Sequence, residues 1–305
     1  MSTATTESIQ RFLGEHHARV DAELERLLPG AGDYPVSIHQ AMRHSVFAGG
    51  KRLRPILCIE SGRLFGGEEE TLLRLGSVLE LIHTYSLIHD DLPALDNDNL
   101  RRGKPTCHVV FGEAMAILAG DALLTLAFEV LSAPEPLTSD EFQNSRRRRV
   151  IHEIACAIGT RAGMVGGQVV DIETTGHKAD AATLEYIHSA KTGALIRAAL
   201  RVGAIQAGAT EEGLECVTVY GEKVGLAFQI ADDLLDVLGS NESLGKTAGK
   251  DDREKKLTYP ALHGVEASRQ VAHRLVREAG EALESFGAPA RRLREIADYL
   301  IARNN

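Results

Sequence analysis

Two acidic clusters are the residues of this sequence best suited to chemistry, and each follows a long apolar stretch. The first reads DDLPALD at residues 90–96, and the second reads DDLLD at residues 232–236. Carboxylates without nitrogen or sulfur ligands nearby are typical of sites for magnesium. This ion takes one or two protein carboxylates, keeps waters and bridges to phosphate oxygens. The pair of clusters therefore predicts magnesium sites that hold a phosphorylated ligand.

The spacing within each cluster makes a different demand on the backbone. Asp232 and Asp236 are four residues apart, so both carboxylates share one helix face, where they repel each other unless a cation lies between them. Asp90 and Asp96 are six residues apart and would point to different sides of a continuous helix. Pro93 removes a backbone donor and disfavours helix at the preceding residue. We therefore expect the chain to leave the helix and return Asp96 towards Asp90.

Basic residues recur in a pattern that complements the acidic clusters. They occur as GGKRLRP at 49–55, RRGK at 101–104, Lys191 with Thr192, Lys246, and KK at 255–256. Arginine forks and lysine charges bind phosphate oxygens, and glycines let the backbone approach them closely. The net charge is −9 at pH 7, which argues against a general binder of nucleic acid or acidic membranes. These groups are predicted to be local anion-binding points.

The elements that must position these residues are predicted to be helices. Apolar residues recur at intervals of three and four, as in Leu72, Leu75, Leu79 and Ile82. No strand-rich alternation or glycine fingerprint after a strand is found, so we predict an all-α fold. The breaks between helices are short, and we expect one domain over residues 1–305. The predicted helices cover about 5–28, 36–48, 53–65, 70–91, 113–131, 141–162, 163–174, 180–207, 211–239, 257–285 and 288–302.

Cysteine spacing and apolar runs bear on the cellular compartment. The four cysteines lie too far apart for a zinc or redox signature, and we interpret them as reduced thiols. No apolar run is expected to reach the roughly 20 residues of a membrane span, and the N-terminus lacks a signal-sequence pattern. We therefore expect a cytoplasmic protein that binds neither membrane nor nucleic acid. The basic run at 146–149 is interpreted as a solvated helix face.

Five segments together resemble the trans-polyprenyl diphosphate synthase family of class I isoprenyl synthases, and the similarity extends to DYLI at 298–301. The segments are GGKRLRP at 49–55, HTYSLIHDDLPALD at 83–96, RRGKPT at 101–106, GGQVVD at 166–171 and FQIADDLLD at 228–236. The resemblance implies a head-to-tail condensation, in which an allylic diphosphate ionises and isopentenyl diphosphate attacks the resulting carbocation. It also implies a homodimer and, as the fold, a multi-helix bundle around a central deep cavity. The departing diphosphate is the expected base for the final proton.

The resemblance also implies roles for individual residues. Three magnesium ions are expected, and whether Mn²⁺ substitutes is left open. Asp90 and Asp96 would bind metal from one wall and Asp232 from the other, with Asp236, Asp91 and Asp233 supporting directly or through waters. The allylic diphosphate would be bound by Arg101, Lys191, Thr192, Gln229, Lys246 and Lys256, although the adjacent Lys255 leaves that last assignment open. Isopentenyl diphosphate would be bound by Lys51, Arg54, His83 and Arg102. The polar pair Gln168 and Asp171 would contact metal waters or Gln229.

Product length is expected to depend on the residues one turn before Asp90. Tyr85 lies about 7.5 Å from Asp90 along the helix axis, and Ser86 lies on the same face as Asp90. Within the family, an aromatic residue at the position of Tyr85 resembles farnesyl-producing members, so we expect a C15 product. A C20 geranylgeranyl product, a non-catalytic diphosphate-binding subunit and a magnesium-dependent hydrolase remain alternatives. The complete clusters argue against the second alternative, and an apolar pocket argues against the third.

Overall fold

The computed structural model describes residues 3–133, 141–176, 180–238 and 257–302, and it is almost entirely helical. The first part contains α1 (Thr3–Leu27), α2 (Val36–Val46), α3 (Leu53–Leu64), α4 (Glu69–Asp90), β1 (Leu100–Arg101), β2 (Lys104–Pro105), α5 (Cys107–Phe111) and α6 (Glu113–Ser132). The second part contains α7 (Glu141–Ile158), α8 (Met164–Thr174), α9 (Ala181–Ile187), a π-helix (His188–Gly193), α10 (Ala194–Ala207), α11 (Glu211–Leu238), α12 (Tyr259–His263), α13 (Val265–Ala282) and α14 (Arg291–Ala302). The predicted all-α fold is confirmed.

Helices α3 and α10 form the centre of the molecule. Most residues of both helices are buried, and in α3 these include the charged residues Arg54 and Glu60. Helix α10 packs against α3, α4, α7 and α11, while α4 also packs against α6 and α11 against α13. The outer helix α14 buries one stripe, Leu293, Ile296, Ala297, Leu300 and Ile301, at helical spacing. This arrangement fixes α4 and α11, the helices that carry the acidic clusters, on the central pair.

Three predicted helices differ from the observed ones. The helix predicted over 180–207 contains one π-helical turn at His188–Gly193. The helix predicted over 257–285 is broken at Gly264, whose φ of +83° is left-handed, and its end is a 3-10 turn at Glu284–Phe286. The helix predicted over 141–162 ends at Ile158. The π-helical turn at 188–193 and the break at Gly264 are local changes of backbone conformation. The periodicity of the apolar residues does not indicate either of them.

A small antiparallel hairpin lies between the helices predicted over 70–91 and 113–131. Leu100 pairs with Pro105, and Arg101 pairs with Lys104. The two turn residues, Arg102 and Gly103, have φ of +55° and +76°. Positive φ at both central positions is the signature of a type I′ turn, which matches the twist of a two-residue hairpin. The hairpin thereby places two adjacent arginines immediately after the first acidic cluster.

The expectation that no apolar run reaches membrane-spanning length is wrong for α6. This helix, Glu113–Ser132, is long and apolar enough to cross a membrane by length and composition. Its inner face, which includes Ala119 and Leu123, is buried, and the helix packs against α2, α4, α5 and α7. A core helix with one apolar outer face meets the same criterion, so composition alone assigns α6 no membrane role.

The basic run at 146–149 is only partly the solvated face predicted for it. Arg147 Nε donates to the Leu131 carbonyl at 2.7 Å, and its Nη2 donates to the Ala133 carbonyl. These carbonyls lie at the end of α6, where a cation satisfies acceptors that lack helical partners. Arg148 and Arg149 are exposed, and Arg149 pairs with Glu211 at 3.0 Å.

Candidate active site

A deep cavity between α4, α8, the π-helix and α11 collects most of the residues predicted for the site. It has a volume of about 370 Å³ and adjoins a second cavity of about 760 Å³, with which it shares Arg54, His83, Arg101, Thr192, Gln229 and Asp232. Of the predicted residues, the first cavity is also lined by Tyr85, Ser86, Asp90, Asp96, Gln168, Asp171, Lys191 and Asp233. The second is also lined by Lys51 and Arg102. Lys246, Lys255 and Lys256 lie outside the described residues.

The first acidic cluster folds back as the spacing around Pro93 predicts. Helix α4 ends at Asp90, and the Asp96 amide then donates to the Asp90 carbonyl at 2.8 Å. Both carboxyl groups therefore face the first cavity. Burial raises the pKa of Asp90 to about 6, and the neighbouring Asp96 and Asp91 carboxylates add to this rise against the opposing charges of Lys191 and Arg101. The negative charge of Asp90 is therefore costly to bury, and a cation bound at this wall would stabilise it.

Asp91 does not line either of these cavities. Its carboxylate is buried and accepts from both Nε and Nη2 of Arg101, with the Nε contact at 3.0 Å. Arg101 Nη2 also contacts Asp98 at 3.3 Å. Asp91 therefore holds Arg101, which lines both cavities, in a fixed orientation.

The three aspartates of the second cluster have three different environments. Asp232 lines both cavities opposite the first acidic cluster. Asp233 accepts from Gln229 Nε2 at 3.1 Å and from the Tyr259 amide at 2.9 Å, so its carboxylate ties α11 to the start of α12. Asp236 is buried and lines neither cavity. Asp232 is thus the residue of this cluster that presents its carboxylate most directly to a ligand.

Lys191 and Thr192 reach the first cavity from the π-helix. Lys191 Nζ donates to Asp171 Oδ2 at 2.7 Å, and Thr192 Oγ1 donates to Gln229 Oε1 at 2.9 Å. Burial opposes the charge on Lys191, but Asp90 and Asp171 outweigh it and raise the pKa of Lys191 above its ordinary value. Asp171 therefore pairs with Lys191, a cation that lines the first cavity.

The π-helix and the glycines that accommodate it were not evident from the sequence pattern. A Cβ at Gly167 would lie 2.7 Å from the Lys191 Cα and closer to its amide nitrogen, so α8 approaches the π-helix only because residue 167 is glycine. A π-turn shifts the residues that follow it relative to an α-helix, and such turns are frequent at functional sites. The pair Gly166-Gly167 before Gln168 was the available signal, because adjacent glycines inside a helix have a packing reason.

The second cavity has a mainly cationic wall. Burial lowers the pKa of Arg54 to about 10, and its Nε has no hydrogen-bond partner among the described residues. Burial, and then the charges of Arg54 and Arg102, hold the pKa of His83 well below its ordinary value, so its imidazole is neutral. A buried guanidinium nitrogen without a protein partner at a cavity wall is suited to an anionic oxygen.

The residues present fit magnesium that is shared with a phosphorylated ligand. In the described ranges, no three Asp, Glu, His or Cys side chains form a group that could hold a metal by themselves. The carboxylates instead stand on two walls, with the crowded pair Asp90 and Asp96 opposite Asp232. Magnesium binds few protein carboxylates and completes its coordination shell with water and phosphate oxygens. It therefore suits carboxylates that are divided between two walls.

An all-helical fold with two acidic walls and a cationic wall around one deep cavity defines a helical prenyltransferase of the isoprenyl synthase type. The chain belongs to the polyprenyl synthetase family, whose profile matches residues 35–287. It is 46% identical over 305 residues to a dimethylallyltranstransferase of Fischerella ambigua, covering 99% of this chain and 86% of that protein.

Two further similarities extend over nearly the whole chain. A geranylgeranyl diphosphate synthase of Cyanophora paradoxa is 44% identical over 303 residues, covering 99% of this chain and 98% of that protein. The crystal structure of an FPP/GFPP synthase from Zymomonas mobilis superposes with a TM-score of 0.85 at 39% identity, covering 96% of this chain and 99% of that one. The predicted family is confirmed.

Proposed function

We propose that this protein makes farnesyl diphosphate by condensing isopentenyl diphosphate with dimethylallyl or geranyl diphosphate in the presence of magnesium. The observation that carries this proposal is the division of one site into two adjoining cavities. The first is rich in carboxylates and suits a metal-bound diphosphate, while the second is mainly cationic and suits a diphosphate without metal. Arg54, His83, Arg101 and Asp232 line both cavities, so two diphosphates bound there would meet at one boundary.

The residues of the first cavity are suited to promote departure of diphosphate from an allylic substrate. Asp90, Asp96 and Asp232 would hold magnesium, whose charge would offset the negative charge that develops on the leaving diphosphate. Arg101 and Lys191 are already oriented by Asp91 and Asp171, so they add fixed positive charge with little reorganisation. Interactions that strengthen as the charge develops accelerate this step more than they strengthen substrate binding.

The apolar part of the first cavity protects the carbocation from water. Leu87, Leu95, Met164, Val165 and Ile187 line it and offer no nucleophile. The neutral His83 lines the boundary of the two cavities, where it can donate a hydrogen bond without adding charge. A dry wall of this kind favours condensation over hydrolysis of the same substrate.

Tyr85 supports a C15 product because its buried side chain lines the first cavity one turn below the acidic cluster. Its ring packs edge-on against His89 at 5.9 Å between centroids, and His89 Nε2 lies 3.0 Å from the Ile117 carbonyl. Ser86 Oγ donates to the His83 carbonyl at 2.8 Å, so its hydroxyl points back along the helix. The geranylgeranyl alternative is favoured by the names of several similar proteins.

The experiment that tests the proposal is a product assay with magnesium, isopentenyl diphosphate and, separately, C5, C10 or C15 allylic diphosphate. Accumulation of C15 from the two shorter primers, with C15 refused, supports farnesyl diphosphate synthase, whereas C20 supports the geranylgeranyl alternative. We expect Tyr85→Ala to lengthen the product and Ser86→Ala, a smaller change on the same cavity, to lengthen it less. Hydrolysis without condensation, or no turnover with any primer, would contradict the proposal.

We also propose that the protein forms a homodimer through the outer face of α5 and α6. Exposed apolar side chains occur there at Val109, Val110, Ile117 and Leu118. Contiguous exposed apolar surface commonly marks a protein interface. Sedimentation of the purified protein tests this assignment: Leu118→Asp should shift the mass to that of a monomer, and Leu262→Asp, an exposed apolar position on α12, should not.

A further inference from the structure

The hairpin of β1 and β2 is fixed to the end of α2 by three polar contacts. Arg102 Nη1 donates to the Gly49 carbonyl, and Lys104 Nζ donates to the Phe47 carbonyl at 3.1 Å. His44 Nε2 lies 2.8 Å from the Pro105 carbonyl. Carbonyls after a helix C-terminus are favourable partners for cations, so α2 provides a rigid support for the hairpin.

Gly50 lies directly under the Arg102 side chain. An ideal Cβ at residue 50 would lie 2.7 Å from Arg102 Nη2 and closer still to Nη1 and Cζ. The guanidinium therefore occupies the space that any side chain at residue 50 would need. Gly50 and Arg102 both line the cationic second cavity, together with Lys51 and Arg54.

We propose that Gly50 is a positioning residue, whose missing side chain lets Arg102 direct its guanidinium at the isopentenyl diphosphate. This inference rests on the proposed function. Because a guanidinium is the far end of a flexible side chain, its overlap with a methyl group at residue 50 is relieved by displacing the charge, and the positive φ adds backbone strain. The consequence is a loss of binding for one substrate rather than a loss of the fold.

The neighbouring glycine is a matched control. Gly49 has φ of +105° and Gly50 has φ of +127°, so alanine is strained by its backbone conformation at either position. A Cβ at Gly49, however, meets no atom within 4 Å. Gly49→Ala keeps the main-chain carbonyl that accepts from Arg102 Nη1, so its difference from Gly50→Ala measures the effect of a Cβ beside the guanidinium.

Steady-state kinetics with each substrate varied in turn tests the proposal. We expect Gly50→Ala to raise the KM for isopentenyl diphosphate about 10- to 100-fold above that of Gly49→Ala, the effect of losing a charge-assisted hydrogen bond. The KM for the allylic diphosphate should stay within about twofold of that of Gly49→Ala, since the affected cation lies in the other cavity. Equal KM values for isopentenyl diphosphate in the two variants would overturn the proposal.

A double-mutant cycle separates an action through Arg102 from an independent effect. In an Arg102→Ala background there is no guanidinium to displace, so Gly50→Ala should add no more than Gly49→Ala adds. If Gly50→Ala raised the KM for isopentenyl diphosphate as much in that background as in the unmodified protein, the proposal would also be overturned. Circular dichroism and urea unfolding of each variant verify the fold.

Calorimetric titration with isopentenyl diphosphate gives a reading that does not depend on turnover. If the unmodified protein condenses no primer, the proposed function fails. Gly50 is then still tested, because weaker binding by Gly50→Ala than by Gly49→Ala supports its role and equal binding refutes it.

Discussion

The buried ion pair between Arg52 and Glu80, in the wall of the second cavity, is expected to be highly sensitive to substitution. Arg52 Nε donates to Asp21 at 2.8 Å, Nη1 donates to Glu80 at 2.9 Å and Nη2 donates to the Val46 carbonyl at 2.8 Å. Both side chains of the Arg52–Glu80 pair are almost completely buried. The guanidinium therefore joins α1, the end of α2 and α4 in the wall of the cationic cavity.

Glu80→Gln should destabilise the protein by about 3–5 kcal/mol, the usual cost of removing one partner of a buried pair. Asp21 remains on Arg52 but is partly exposed and offsets only part of this cost. Glu80 also favours the charged forms of Arg54 and Arg102, so its neutralisation removes an opposing charge from three arginines. The free energy of unfolding of a typical protein is about 5–15 kcal/mol. The variant should therefore still fold, but it should unfold at a clearly lower urea concentration.

Urea unfolding followed by circular dichroism measures this loss, and Glu222→Gln is the matched control. Glu222 pairs with Arg197 at 3.2 Å on the surface, where such a pair contributes at most about 1 kcal/mol. The double variant Arg52→Met with Glu80→Met should recover part of the loss, because no charge of the pair is then left buried alone. A loss for Glu80→Gln no larger than that for Glu222→Gln would refute this account of the pair.

Three further predictions concern other buried contacts. Asp91→Asn should raise the KM for the allylic diphosphate about 10-fold, because Arg101 loses its fixing carboxylate; a rise confined to isopentenyl diphosphate in the same assay would contradict this. Gly120→Ala should raise the C10 to C15 product ratio, because a Cβ there overlaps the His89 ring and presses it towards the cavity; an unchanged ratio by chromatography counts against it. Burial and then Arg63 lower the pKa of His16 to about 4, so the unfolded chain takes up this proton first and stability falls as pH drops from about 6.5 towards 4. His16→Gln should flatten that part of the stability curve in urea titrations at several pH values, and an identical slope would exclude His16 as its source.

The local features of the site could be predicted from the sequence because they depend on neighbouring residues. Pro93 follows the first aspartates, and its effect on the backbone is enough to return Asp96 towards Asp90. The apolar periodicity of α4 and α11 likewise depends only on sequence within each helix. Both kinds of feature were predicted close to their observed positions.

The direction of individual carboxylates could not be predicted in this way. Adjacent Asp232 and Asp233 are equivalent in the sequence pattern, yet the Tyr259 amide and Gln229 take the carboxylate of Asp233. Tyr259 belongs to a later helix, so no spacing within the cluster indicates this contact. The overlap of Gly50 with Arg102 is a similar case, since it joins two loops that are about 50 residues apart.

The chain is acidic overall, yet the proposed site binds two diphosphates. The two properties are compatible because carboxylates hold the cations of the site in place. Arg101 is fixed by Asp91, Lys191 by Asp171 and Arg52 by Glu80. Such pairing reduces the net positive charge that faces a bound diphosphate but keeps each cation in one orientation. Cations that bound the substrate and the transition state equally strongly would not accelerate the chemical step. Oriented cations instead favour the leaving group at the position where its charge develops, so the carboxylates that pair with them are part of the catalytic design.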